Sequence, residues 1–224
     1  MTTTQTPTNA KADLTFNVFY NEDSTTKSFL QTLVLKNPWE WAMLRQVFEG
    51  KNNSVITLVD RNIETPFHCL LAALFCKQLM EELGTCSEKI RLILTPLKKE
   101  QPGKLNTVNS HFDTTASRNE FLRECFRTIL GMEISITTKH NPIGCRDLKI
   151  SVDGYSLYVR SEGGIAKGWQ PTNKYLADLP AKELLELHQS DLPCNNVYVH
   201  GYSRNGVFYS IELQPKPNQK VLQN

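Results

Sequence analysis

The sequence predicts an α/β (α+β) fold: a mixed sheet with a βαβ crossover in the first two-thirds and antiparallel hairpins in the last third. Three observations carry that expectation. Residues 54–59, Ser-Val-Ile-Thr-Leu-Val, and residues 89–95, Lys-Ile-Arg-Leu-Ile-Leu-Thr, are short and nearly all apolar, as strands buried on both faces are. Between them lies a helix-length apolar stretch, Pro66 to Leu83, closed by Gly84. From Leu148 the pattern changes to period-two alternation around Asp153-Gly154 and Asn205-Gly206, two strong hairpin turns.

Taken in order, Leu14 to Tyr20 alternates and reads as a strand. A helix is expected from near Ser24, carrying Phe29, Leu30 and Leu33. Asn37-Pro38-Trp39-Glu40 has the composition of a helix start, with Asn as cap and Pro first. That helix should bury Met43, Leu44, Val47 and Phe48 and stop at Gly50. Ser117-Arg118-Asn119-Glu120 reads as a capping box ahead of an apolar face of Phe121, Leu122, Cys125, Phe126, Ile129 and Leu130. Met132 to Thr138 is a further strand. Leu148 to Arg160 and Asn196 to Leu213 are the two hairpins, with a short helix, Pro180 to Gln189, between them. Residues 1–12 and 214–224 are polar and read as flexible tails around a single domain, 13–213.

Composition excludes several classes. Apolar residues make up 40% of the 224 positions and charged residues 21%, enough for a real core. Net charge is +2 and the two signs are interleaved, which argues against a dedicated nucleic-acid binder. Lys98, Lys99 and Lys104 form the only local basic cluster and read as solvated surface. No run of about eighteen apolar residues is present, so no membrane insertion is expected, and the N-terminus has no signal-peptide pattern. The expected location is the cytoplasm, with export by a specialised signal-less route left open. The six cysteines, 69, 76, 86, 125, 145 and 194, include no Cys-x-x-Cys pair, so reduced thiols are expected and no zinc site.

Cys69 is the most suggestive catalytic candidate, because it follows a strand and stands near a helix start. In that reading His200 would be the base and Asp60 or Asn62 the orienting group of a cysteine-dependent hydrolase or transferase. On a helical wheel, however, Cys69, Cys76 and Leu83 lie one heptad apart along the apolar face, and the adjacent His68 projects elsewhere. Core packing is the favoured reading. Asp60-Arg61-Asn62 stands at a strand's carboxyl end, where α/β sites form, but it lacks the second carboxylate of an Asp-x-Asp phosphoryl-transfer motif. A turn aspartate is favoured there over a phosphate-directed enzyme. His111-Phe112-Asp113 reads as an exposed turn rather than a ligand pair. Neither Gly-x-x-x-x-Gly-Lys-Ser/Thr nor Gly-x-Gly-x-x-Gly occurs, so no nucleotide or other cofactor is expected.

The stretch from Ser161 to Lys174 lacks periodicity and carries Trp169, with Tyr175 just beyond and Arg160 and Lys167 flanking. Long loops with aromatic and cationic side chains often dock partners; the alternative is that Trp169 folds back to plug the end of the sheet. The sequence therefore points to a non-catalytic adaptor or protein-interaction module within a larger complex. Its partner-binding residues would be Arg160, Lys167, Trp169 and Tyr175, or an exposed hairpin edge such as the strand ending at Arg204.

Overall fold

The computed structural model describes residues 14–20, 38–100, 112–140, 146–152, 154–161, 169–171, 182–183, 186, 197–199 and 207–215. Nine strands are described: β1 (Leu14–Tyr20), β2 (Ser54–Asp60), β3 (Ser87–Leu94), β4 (Ile134–Thr138), β5 (Arg146–Val152), β6 (Tyr155–Ser161), β7 (Trp169–Pro171), β8 (Val197–Val199) and β9 (Val207–Pro215). Seven of them form one mixed sheet in the order β1-β9-β6-β5-β2-β3-β4. The pairs β2·β3 and β3·β4 are parallel; β2·β5, β5·β6, β6·β9 and β1·β9 are antiparallel. The sheet thus changes character at β2, where the crossover half meets the meander half.

Three helices, α1 (Pro38–Phe48), α2 (Pro66–Leu83) and α3 (Thr115–Leu130), supply the helical layers. The helix start at Thr65 is built from local chemistry. Thr65 is extended, its hydroxyl accepts the His68 N–H at 3.2 Å, and Pro66 follows where no N–H is needed. The helix ends at Gly84, φ +65°, whose N–H reaches Glu81 O while the Thr85 N–H reaches Met80 O. A side chain at Gly84 would be strained at that φ and would also press on Glu49, 3.2 Å away. Thirteen of the eighteen α2 residues are buried, because the helix lies packed against both α1 and α3. Each buried Leu or Phe there contributes about 1.5–3 kcal/mol of transfer free energy.

Several local expectations need correction. In α1, Trp41 is buried while Met43 is 46% and Trp39 82% exposed. The apolar stripe is therefore Trp41, Leu44 and Phe48, as expected for Leu44 and Phe48 but turned away from Met43. The capping box of α3 is Thr114 with Ser117, not Ser117 with Glu120. The Thr114 hydroxyl accepts the Ser117 N–H, and the Ser117 hydroxyl accepts the Thr114 N–H, both at 3.1 Å. A serine hydroxyl thus takes the part usually played by Glu or Gln. Phe112 is buried against Phe121, ring centroids 5.7 Å apart, so this position is core rather than exposed turn.

The Asp153-Gly154 hairpin forms as expected, β5 with β6, with Gly154 at φ +80°. The turn of the second expected hairpin lies outside the described residues, and within them β8 and β9 are not paired with each other. β8 pairs with β7 in a separate two-stranded ribbon, whereas β9 inserts between β1 and β6. The stretch expected to be an irregular loop therefore contains β7. Lys182, Glu183 and Glu186 are helical. The expected helix from Ser24 and the turn at Asn205-Gly206 lie outside the described residues.

Candidate functional site at the carboxyl ends of the parallel strands

β2, β3 and β4 run in one direction, so their carboxyl ends, Asp60, Leu94 and Thr138, share one edge of the sheet. Polar groups gather there. Asp60 is 1% exposed and its Oδ1 accepts the Asn62 N–H at 2.7 Å, turning the chain out of the strand. The Thr95 hydroxyl donates to Arg61 O at 3.1 Å, tying the end of β3 to the end of β2. Glu64 is buried, and Lys98 Nζ stands 3.0 Å from its Oε1. Lys98 opens a single 3-10 turn, Lys98–Glu100, so it is part of this network rather than only solvated surface. The Glu100 carboxylate accepts the Thr115 N–H at 2.9 Å and the Thr115 hydroxyl. The Leu97 N–H donates to that same hydroxyl oxygen at 2.9 Å.

Arg118 is the centre of the arrangement and is 1% exposed. Its Nη1 donates to Thr95 O at 2.8 Å and Ile63 O at 3.2 Å. Its Nε and Nη2 fork onto Asn119 Oδ1 at 3.1 and 2.9 Å. Asn119 in turn donates to the Thr138 hydroxyl at 3.4 Å. One guanidinium thus joins the segments after β2 and β3 to α3, and through Asn119 to β4. Burial lowers its pKa from the ordinary arginine value. A planar, five-donor cation suits this work, because it satisfies several carbonyls that the strand ends leave unpaired.

Cys69 has no exposed surface, and burial pushes its thiol well above the ordinary value, only partly offset by the positive charge of Arg118. Burial likewise pushes Cys76 up to about 12 and raises Cys125. At neutral pH these three are protonated thiols, not nucleophilic thiolates. His68, beside Cys69 in sequence, is lowered to about 4 by burial, opposed by a hydrogen bond with the Asn62 backbone and reinforced by the charge of Lys98. Its Nδ1 is enclosed and meets no hydrogen-bond partner among the described residues. The imidazole is neutral at physiological pH.

The residues of the aromatic stretch are placed only in part. Arg160 lies in β6, opposite Asp147 on β5 and Ser210 on β9. Trp169 heads β7, opposite Val199. Lys167, Tyr175, His200 and His111 lie outside the described residues. Sequence reasoning named Asp60 and Asn62 but missed Glu64 and the roles of Lys98 and Arg118. Their only local signal was charged residues close to strand ends and helix starts. Among the described residues no group of three or more His, Cys, Asp or Glu side chains is arranged to hold a metal ion, and no helix is long and apolar enough to cross a membrane.

The sequence family described as the DEAD/DEAH box helicase YjiV, C-terminal domain, matches residues 22–181. The chain belongs to this family. No curated protein matches it. The stretch matched to the YjiV C-terminal domain holds α1 to α3, β2 to β7 and the whole Arg118 network, while β1, β8 and β9 lie outside it.

Proposed function

We propose that this member of the YjiV C-terminal domain family is a non-catalytic interaction module that binds a protein partner within a larger complex. The observation that carries the reading is the state of the strand-end edge. Asp60, Glu64, Lys98, Glu100 and Arg118 are engaged with the chain's own turns and carbonyls, and the nearby thiols are buried and protonated. An edge used in this way holds the fold together and leaves recognition to other surfaces. A domain family named as the C-terminal part of a helicase fits an accessory role beside a motor. The docking surface we assign is Arg160, Lys167, Trp169 and Tyr175, aromatic and cationic groups of the kind that dominate interface energies.

The test is affinity capture with the full chain, compared with Trp169→Ala and Tyr175→Ala. Selective loss of one captured protein from both variants supports the reading; retention of every captured protein by both sinks it. The helicase name makes nucleic acid the competing ligand. Its arm is fluorescence anisotropy with single-stranded and duplex DNA. Tight binding that weakens steeply with salt would replace the protein-partner reading.

A further inference from the structure

Among the described residues, no strand pairs with the outer side of β4. β4 is the last strand beyond β3, and Ser135, Thr137 and Thr138 on it are exposed. Within Ile134–Thr138 there is no charged residue and no proline, and its pairing with β3 runs without a bulge, so the strand itself lacks the charges, prolines and bulges that blunt an edge. The direction of its free backbone groups follows from the ladder. The Lys139 N–H donates to Leu94 O at 2.8 Å, so residue 139 faces β3. In a parallel pair the N–H and C=O of one residue point the same way, and successive residues alternate. Residues 135 and 137 therefore face β3 too, and Ile134, Ile136 and Thr138 turn their N–H and C=O groups outward.

We infer that β4 pairs antiparallel with β4 of a second copy of this chain, about a two-fold axis at Ile136. In that register Ile136 faces Ile136 of the second copy, and Ile134 faces its Thr138. Every outward N–H of the three residues then meets an outward C=O, because these positions form the hydrogen-bonded pairs of an antiparallel ladder. Ser135 falls opposite Thr137, a favourable hydroxyl pair. Just beyond the strand, Glu133 falls opposite Lys139 of the second copy, twice by symmetry. Charge complementarity thus selects the same register that the backbone selects. Glu133 already accepts from Arg127 Nε at 2.8 Å on the surface, and among the described residues its second oxygen has no such bond. The two seven-stranded sheets become one continuous sheet. The junction is small by the standard of permanent interfaces, so the dimer is reversible and populates as concentration rises.

The register is tested by charge exchange. Sedimentation velocity over a concentration series should show a monomer–dimer equilibrium for the native chain. Lys139→Glu alone places two acidic groups opposite each other, and Glu133→Lys alone places two basic groups opposite each other, so each should be monomeric. Mixed in equal amounts, the two variants have opposite charges at both sites and should dimerise. Ile136→Pro removes an N–H that points outward, leaves the ladder to β3 in place, and should be a folded monomer by circular dichroism. If that variant does not fold, the charge exchange still decides. A native chain that stays monomeric throughout overturns the inference, as does a dimer indifferent to both charge variants, or a mixture that fails to associate.

Discussion

Lys98 Nζ stands 3.0 Å from Glu64 Oε1, with the carboxylate side chain 3% and the lysine side chain 36% exposed. A buried acid is held by a cation that still touches water. Water around the lysine weakens the attraction, but the carboxylate is hard to resolvate if the lysine is lost. Lys98→Met should lower stability by about 1–2 kcal/mol, read as a lower urea midpoint with an unchanged slope. Glu64→Gln in the Lys98→Met background should recover part of that loss. An unchanged midpoint for the single variant would show that the pair contributes nothing.

Arg118 offers a harsher test. Its four hydrogen bonds fan out in one plane to Thr95 O, Ile63 O and Asn119 Oδ1. A lysine there keeps the charge but cannot reach both carbonyls and the amide at once. Arg118→Lys should cost about 3 kcal/mol, since buried carbonyls lose their donors. Equal melting temperatures for the two proteins would refute the bridging role.

The thiols should sort by burial. Cys86 is exposed, while Cys69, Cys76 and Cys125 are buried. Limited iodoacetamide treatment followed by peptide mass spectrometry should label Cys86 and leave the other three unmodified from pH 5 to 9 until denaturant is added. Early labelling of Cys69 near neutral pH would establish an open, activated thiol and reinstate a cysteine-dependent enzyme.

His68 gives the fold a defined acid response. In the fold it takes a proton only near pH 4; its ordinary value is 6.5. Between those values the unfolded chain binds the proton and the folded chain does not. The contribution of neutral His68 is therefore complete above pH 6.5 and declines as pH falls toward 4, by about 3 kcal/mol in all. Other acids titrate in the same window, so the difference between the native chain and His68→Asn is the useful quantity. The native chain should lose more stability than the variant between pH 6.5 and 4. Parallel stability curves would show that His68 is protonated freely in the fold.

Elements with a strong local signal were legible in the sequence. The apolar runs announced β2 and β3 as strands, but β3 is not buried on both faces as expected: Ile90, Leu92 and Leu94 are buried while Arg91 between them is exposed. Thr65 to Gly84 carries its own start and stop. Partnerships were less legible. Alternation around Asn205-Gly206 identifies β9 as a strand, but alternation is indifferent to which neighbour fills the ladder, and β9 bonds to β6 and β1. The strand-end network was illegible for the same reason. Arg118 reaches Ile63 across 55 positions of sequence, and Lys98 reaches Glu64 across α2 and β3. Such contacts leave no periodicity. For Cys69 the helical pattern alone placed the thiol on the apolar side, and the structure finds it fully enclosed.

Leu14 pairs with Leu213, and Tyr20 with Val207. Of the described strands, the one that a ribosome makes first must wait for the one made last. Until β9 emerges, β1 lacks the ladder it pairs with, and its backbone groups are open to any passing extended chain. Assembly of this edge therefore waits on β9, even if the crossover half folds earlier during synthesis. A chain stopped short of Val207 would carry that unfinished edge permanently, a mark by which quality control could recognise an incomplete product.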